Sequence, residues 1–383
     1  MVRVMKILVV VNNLYSNGNG VSVSASRAVQ YLKEAGADVR VLSCKNPAKD
    51  GPAPDYALPR LHNPISDFFK KKSGFYPAAI NNAVIREAVR WADVVQLEEP
   101  FGLQKRVCEI AEEEGKPVTA SYNIHPENIT AYVKMHGNAL VNALLFRNWK
   151  KNVYDRCAAV RCPNEETKEF LEKKGIKAKL FVIPNGCPPA DAPFELPFEK
   201  KQSLFYIVSS GRLSVEKDQV TLLKAMQYSK HHARIKLVFA GKGPCLGALK
   251  DTAEALRRSG AVMREPLFGF FTPEQLKGLY SLADLYVHCA FVEVEGLACM
   301  EAISNGVVPV IAKGKKTAAS RLAVAEHGTF PAHSAKELAE CIDYWIEHED
   351  ERKALSEKLK ADFKPQDCKQ TAEEMIALFR YVI

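Results

Sequence analysis

Apolar residues along the 383-residue chain fall into two rhythms that alternate. Residues 5–11, Met-Lys-Ile-Leu-Val-Val-Val, form a near-continuous aliphatic run, the form taken by a parallel strand buried on both faces. A polar, glycine-containing stretch follows at 12–20, then a helical pattern over 21–35 that stops at Gly36, then a second strand at 38–42. This is a βαβ unit. Further runs predict strands at 91–97, 117–121, 158–162 and 180–183, with helices at 105–114 and 165–174.

Pro184-Asn-Gly-Cys-Pro-Pro breaks the rhythm, and the proline-rich residues up to 203 show no clear period. The alternation then restarts. Strands are predicted at 204–209, 235–240, 262–265, 283–289 and 307–311, and helices at 218–228, 245–258, 272–282 and 296–304, with a helical tail from Ala335. Thr272-Pro-Glu-Gln carries a helix start on its face: a hydroxyl cap, proline at the first helical position and Gln three residues on. The expected fold class is therefore α/β, with two Rossmann-like, doubly wound domains facing an interdomain cleft. Their expected extents are 1–187 and 204–364, joined by a linker at 188–203 and followed by a C-terminal helix, 365–383, returning to the first domain. In open α/β sheets ligands sit beyond the carboxyl ends of the strands, so the chemistry is expected there.

Composition narrows this picture. With 47% hydrophobic and 26% charged residues the chain is neither disordered nor collagen-like, and no apolar run approaches the roughly 20 residues that span a bilayer. The first eleven residues lack the apolar core and cleavage site of a signal peptide, which predicts a cytoplasmic protein or one on the inner membrane face. Ten cysteines occur without a Cys-x-x-Cys pair, so neither a zinc knuckle nor a redox pair is expected. The net charge of +8 is one-sided: residues 1–190 hold 27 Lys/Arg against 19 Asp/Glu, while 191–383 hold 26 of each. The first half is thus suited to an anionic partner, an acidic acceptor or a lipid surface, or simply carries a solvated basic face.

Three loops carry candidate chemistry. Ser16-Asn-Gly-Asn-Gly-Val joins a strand to a helix, and Gly18 and Gly20 would let backbone N–H groups approach an anion, although the full Gly-x-Gly-x-x-Gly and P-loop patterns are absent. Ser210-Gly-Arg-Leu-Ser-Val-Glu-Lys places Arg212 and Lys217 beyond a strand, a pair of cations suited to a diphosphate. The sharpest element is Glu293-Val-Glu-Gly-Leu-Ala-Cys-Met-Glu301. Its Gly296 permits close backbone approach, the helix start offers free N–H groups to an anion, and a carboxylate one turn in can accept from vicinal hydroxyls such as those of a ribose.

Taken together, the Gly18/Gly20 loop, Val182-Ile-Pro-Asn-Gly, Gly211-Arg-Leu-Ser-Val-Glu-Lys217 and Glu293 to Glu301 resemble retaining glycosyltransferase family 4 of the GT-B fold. Ala240-Gly-Lys-Gly-Pro244 and Leu267-Phe-Gly-Phe resemble that family's connecting loops. The resemblance implies a nucleotide diphosphate sugar as donor, with UDP as the expected nucleotide, and neither a metal nor a further cofactor. It implies that Gly211, Arg212 and Lys217 hold the donor diphosphate, that Glu293 meets the donor sugar, that the amides around Gly296 and Leu297 face the phosphates, and that Glu301 grips the ribose. The first domain would take a lipid, a lipid-linked glycan or another glycan as acceptor; a nucleic acid is not expected.

Two departures stand out. The family usually carries Phe-Gly where this chain has Glu295-Gly296, which adds negative charge beside the donor. It also tends to carry a histidine after the strand at 117–121, where either Asn123 or His125 takes that place, His125 being the candidate catalytic residue. Residues 62–80, and the helical stripe Val141, Leu144, Leu145, Trp149 and Val153 with cations nearby, could dock on an anionic membrane; the stripe could equally be core. Two further readings are a GT-B sugar-nucleotide epimerase and a catalytically weak sugar-nucleotide-binding protein.

Overall fold

The structure is a computed structural model that describes residues 4–15, 19–46, 52–189, 193–262 and 264–383. The chain divides into two compact units, Met1–Gly186 with Gln366–Ile383, and Cys187–Pro365. Each is built on one parallel sheet flanked by helices, as expected of an α/β chain whose strands read as continuous apolar runs.

In the first unit the strands are β1 (Lys6–Val10), β2 (Asp38–Cys44), β3 (Tyr56–Leu58), β4 (Val94–Leu97), β5 (Val118–Ser121), β6 (Ala159–Cys162) and β7 (Lys179–Val182), in the order β3-β2-β1-β4-β5-β6-β7. Its helices are α1 (Gly20–Glu34), α2 (Pro64–Ser73), α3 (Asn82–Trp91), α4 (Gly102–Glu113), α5 (Pro126–Thr130), α6 (Ala139–Asn152) and α7 (Glu165–Lys173). The C-terminal helix Cys368–Val382 belongs to this unit: Met375, Leu378 and Phe379 pack with Ala28 and Leu32 of α1 and with Ile7 and Val9 of β1. Gly186, at φ +80°, lies under that helix, where a Cβ would come 2.8 Å from Cys368 Cα. This close approach is why Val182-Ile-Pro-Asn-Gly ends in glycine.

In the second unit the strands are β8 (Phe205–Ser210), β9 (Ile235–Ala240), β10 (Leu267–Gly269), β11 (Leu285–His288), β12 (Pro309–Lys313) and β13 (Thr329–Pro331), in the order β10-β9-β8-β11-β12-β13. The helices are α8 (Gln219–Ala225), α9 (Leu246–Arg258), α10 (Pro273–Leu282), α11 (Leu297–Ser304), α12 (Ala335–Glu347) and α13 (Glu349–Asp362), and the C-terminal helix is α14. The core centres on fully buried Phe239, Tyr286, Phe330 and Trp345. Thr272 caps α10 in a reciprocal box with Gln275.

Two expectations are corrected. The strand expected at 262–265 is not formed at Val262, Arg264 or Glu265, residue 263 lying outside the described residues: Val262 N donates to Leu256 O (3.2 Å) as α9 terminates, and the edge strand is Leu267–Gly269. Trp91 ends α3 rather than opening β4, because Asn81 caps an amphipathic helix that runs through it. The sheets change winding direction between β1 and β4 in the first unit and between β8 and β11 in the second. Loops leaving adjacent strands at such a point part to opposite faces and leave a crevice at the carboxyl edge.

Candidate active site

At the second of these switch points the chain leaves β8 through Gly211, at φ +124°. Gly211 N donates to Ala240 O (2.9 Å) and Leu213 N to Lys242 O (3.0 Å), so the loop after β8 is zipped to the loop after β9. The contact leaves no room for side chains: a Cβ on Gly241 would sit 1.8 Å from Gly211 O, and one on Gly243 2.1 Å from Leu213 O. That explains the two glycines of Ala240-Gly-Lys-Gly-Pro244. A single 3-10 turn, Val215–Lys217, then ends at Asp218, a left-handed residue (φ +48°) whose carboxylate accepts from Thr221 Oγ1 (2.7 Å) and faces His333 Nδ1 (2.8 Å).

This turn brings Lys217 against Glu293, from the loop after β11, in a direct ion pair. Glu293 is pinned through its backbone, N donating to Lys316 O (2.7 Å) and O accepting from Ala318 N (3.0 Å). Burial pushes its carboxyl up, but the Lys217 charge and a bond from His288 outweigh this and hold it well below the usual carboxylate range. Lys217 is moved the other way: burial pulls it down, and Glu293 more than restores it. Both groups therefore stay charged at neutral pH.

Gly296, at φ +96°, turns the chain into α11 without a side-chain cap, leaving the first amides of Leu297 onward free of capping. A Cβ on Gly296 would meet Ala319 Cβ at 2.7 Å. Glu301 lies one turn into α11 and is partly exposed, within electrostatic reach of the Tyr280 and Tyr286 hydroxyls. Arg212 is half-buried, and among the described residues its guanidinium has no hydrogen-bond or ion-pair partner. Glu295, the departure from the family pattern, is buried. Gly211, Arg212, Lys217, Glu293, Gly296, Leu297 and Glu301 thus come from two loops and one helix start at the same sheet edge.

Gly20 and His125 lie in the other unit. Gly20 opens α1 with open space where a Cβ would stand, and Gly18 lies outside the described residues. His125 begins α5, 7% exposed, with Nδ1 2.9 Å from Tyr122 Oη and its ring edge-on to Phe170. Asn123 donates instead to Glu98 Oε2 (2.9 Å). Here a buried polar cluster escapes sequence reasoning: Glu99 Oε2 accepts from Asn12 N and Nδ2 (both 2.7 Å), and burial pushes Glu99 up to about 7. His288, Tyr286, Tyr280 and Ser210 were likewise not legible as site residues. The one available signal is that Tyr286 and His288, two apart, share a face of β11.

The profile described as Glycosyl transferases group 1 matches residues 194–362, and that of Glycosyltransferase Family 4 matches 18–191. The chain belongs to the family-4 type of GT-B glycosyltransferases. The glycosyltransferase is 27% identical over 236 residues to an alpha-monoglucosyldiacylglycerol synthase of Streptococcus pneumoniae, a match covering 58% of this chain and 52% of the relative. It is 29% identical over 147 residues to the uncharacterized glycosyltransferase YqgM of Bacillus subtilis, covering 38% of this chain and 39% of the relative. The chain thus spans about half or less of the length of these curated relatives. Among solved structures, Anabaena Alr3699/HepE in complex with UDP-glucose aligns with a TM-score of 0.74 at 16% identity, covering 98% of this glycosyltransferase and all of that chain. This likeness supports the GT-B fold.

Proposed function

We propose that the glycosyltransferase is a retaining hexosyltransferase that moves a hexosyl group from a UDP-sugar to a lipid or lipid-linked glycan. The observation that carries this reading is the Lys217–Glu293 pair at the β8/β11 switch point, with Arg212 beside it and the uncapped start of α11 following it. Arg212 and Lys217 supply positive charge to the departing diphosphate, and the α11 amides add a fixed dipole. Glu293 accepts from sugar hydroxyls, and Glu301 accepts from the ribose. The acceptor hydroxyl attacks the anomeric carbon from the face the diphosphate leaves; the C–O bond to phosphate breaks, and the hydroxyl proton passes to the departing phosphate oxygen. Transfer outruns hydrolysis where water is kept from the anomeric carbon. His125 is assigned to the acceptor side of this reaction.

The lipid acceptor is supported by the name of the Streptococcus relative and by the surface of the first unit. The stripe expected at Val141, Leu144, Leu145, Trp149 and Val153 divides: Trp149 and Val153 are buried, Val141 and Leu145 half-buried and Leu144 exposed, with Leu140 of α6 exposed as well. On α2, which lies against the 3-10 turn Ala131–Val133, Ile65 and Phe68 are exposed and Lys70, Lys71 and Lys72 follow them. Apolar residues flanked by lysines suit an anionic bilayer surface. No helix among the described residues is long and apolar enough to cross a membrane, so contact of this kind would be peripheral.

The reading is tested with radiolabelled UDP-glucose and vesicles of diacylglycerol and anionic phospholipid. Label is expected in the organic extract, and an Ile65→Glu/Phe68→Glu variant is expected to lose vesicle flotation by about tenfold or more, each buried side chain contributing about 1.5–3 kcal/mol. Flotation equal to wild type contradicts the membrane surface; acceptor-independent release of UDP from the donor instead favours an epimerase or hydrolase.

A further inference from the structure

Glu293 is held through one oxygen. Its Oε2 accepts from Lys217 Nζ and from His288 Nε2 (3.1 Å), while among the described residues Oε1 has no partner. His288 is 3% exposed and packed against the Tyr286 ring, with centroids 6.3 Å apart and planes 22° from parallel. Tyr286 Oη lies between His288 Nδ1 (3.5 Å) and Ser210 O (3.4 Å), and accepts from Ser210 Oγ (3.3 Å), which is 2.8 Å from Tyr280 Oη. The imidazole is therefore seated in a buried row of hydroxyls that leads away from the carboxylate.

Charge decides the protons in this row. A carboxylate only accepts, so His288 Nε2 carries the hydrogen, and Nδ1 is left as the acceptor side of a neutral ring. Burial pushes the imidazole below its ordinary value, which keeps it neutral and in that tautomer at pH 7. Lys217 and His288 then differ in what an arriving diphosphate does to them. Lys217, a point charge, is drawn to the new anion as well as to Glu293; neutral His288 has no such competing attraction and stays on Oε2.

We infer that His288 is a positioning residue that retains Glu293 by Oε2 while the diphosphate engages Lys217, leaving Oε1 to accept a hydroxyl of the donor sugar. The inference rests on the reading of Glu293 as the group that meets that sugar. It makes His288 a determinant of sugar recognition that has no part in nucleotide recognition. The buried Tyr286 hydroxyl, which itself accepts from Ser210 Oγ, backs the ring at Nδ1.

Calorimetric titration of UDP and of UDP-glucose into wild type, His288→Gln, His288→Leu and Tyr286→Phe tests this. The amide nitrogen of Gln can replace Nε2 as donor; Leu cannot. The expected result is UDP affinity within about twofold in all four proteins. The extra affinity for UDP-glucose over UDP should fall by about tenfold in His288→Leu, the loss of one charge-assisted hydrogen bond, and be largely kept in His288→Gln. Tyr286→Phe should fall between them. Equal UDP-glucose to UDP ratios in wild type and His288→Leu overturn the inference, as does a parallel loss of both ligands, which would mark His288 as part of the scaffold. A wild-type chain that binds UDP but gains nothing from the sugar overturns the reading of Glu293 itself, and the inference with it.

Discussion

Lys217→Ala is expected to lower kcat by about two to three orders of magnitude, the range seen when one preorganised group at a developing charge is removed. The charge that builds on the departing diphosphate has Arg212 and Lys217 as its nearest side-chain cations in the proposed geometry, and removing one leaves the other unable to neutralise it. The substitution has a second effect, because Lys217 also pairs with Glu293. Without it the carboxylate keeps only His288, and about 1–3 kcal/mol of stability is expected to go with the lost partner. Glu293→Gln in the same chain separates the two effects. The double variant should recover thermal stability, since a neutral amide needs no counter-charge, and should remain inactive. Turnover of Lys217→Ala at the wild-type rate, or recovery of activity in the double variant, contradicts the role given to Lys217.

For Glu301→Ala the expectation is a ten- to hundredfold weaker affinity for UDP. A carboxylate one turn into α11 that accepts from two vicinal hydroxyls makes charge-assisted bonds of about 1.5–3 kcal/mol, and each 1.4 kcal/mol is a factor of ten. Repulsion works the other way: if the main influence of Glu301 on the ligand were its charge facing the diphosphate, the Ala variant would bind tighter. A cycle with 2′-deoxy-UDP distinguishes them. Wild type should discriminate against the deoxy ligand, and Glu301→Ala should bind the two nucleotides alike. Tighter UDP binding by the variant, or undiminished discrimination, removes Glu301 from the ribose site.

The elements legible in sequence are those with a strong local cause. The β1 run, the stop of α1 near Gly36 and the Thr272 box of α10 need no tertiary context. The three-residue strands β3, β10 and β13 are not legible in the sequence, since each lies at a sheet edge and is too short to show a period. α3 is hidden in the sequence because its C-terminal Trp91 adjoins the apolar run of β4, and the two merge in a linear reading. In the site, the loop cations and the two glutamates were legible because glycines and strand ends frame them. His288 was not, because a histidine inside an apolar strand has the signature of a core residue; only the fold shows it 3.1 Å from Glu293. The Asn12–Glu99 contact is of the same kind, since it joins residues 87 positions apart across the β1/β4 switch point.

The donor site is tested most directly by titrating UDP, GDP, ADP and NAD into the wild-type chain by calorimetry. Saturable binding of UDP in preference to the others, tightened by an attached glucose, is the predicted result. Binding of NAD alone, or of no nucleotide, would contradict the assignment of Arg212, Lys217, Glu293 and Glu301 to a nucleotide-sugar site.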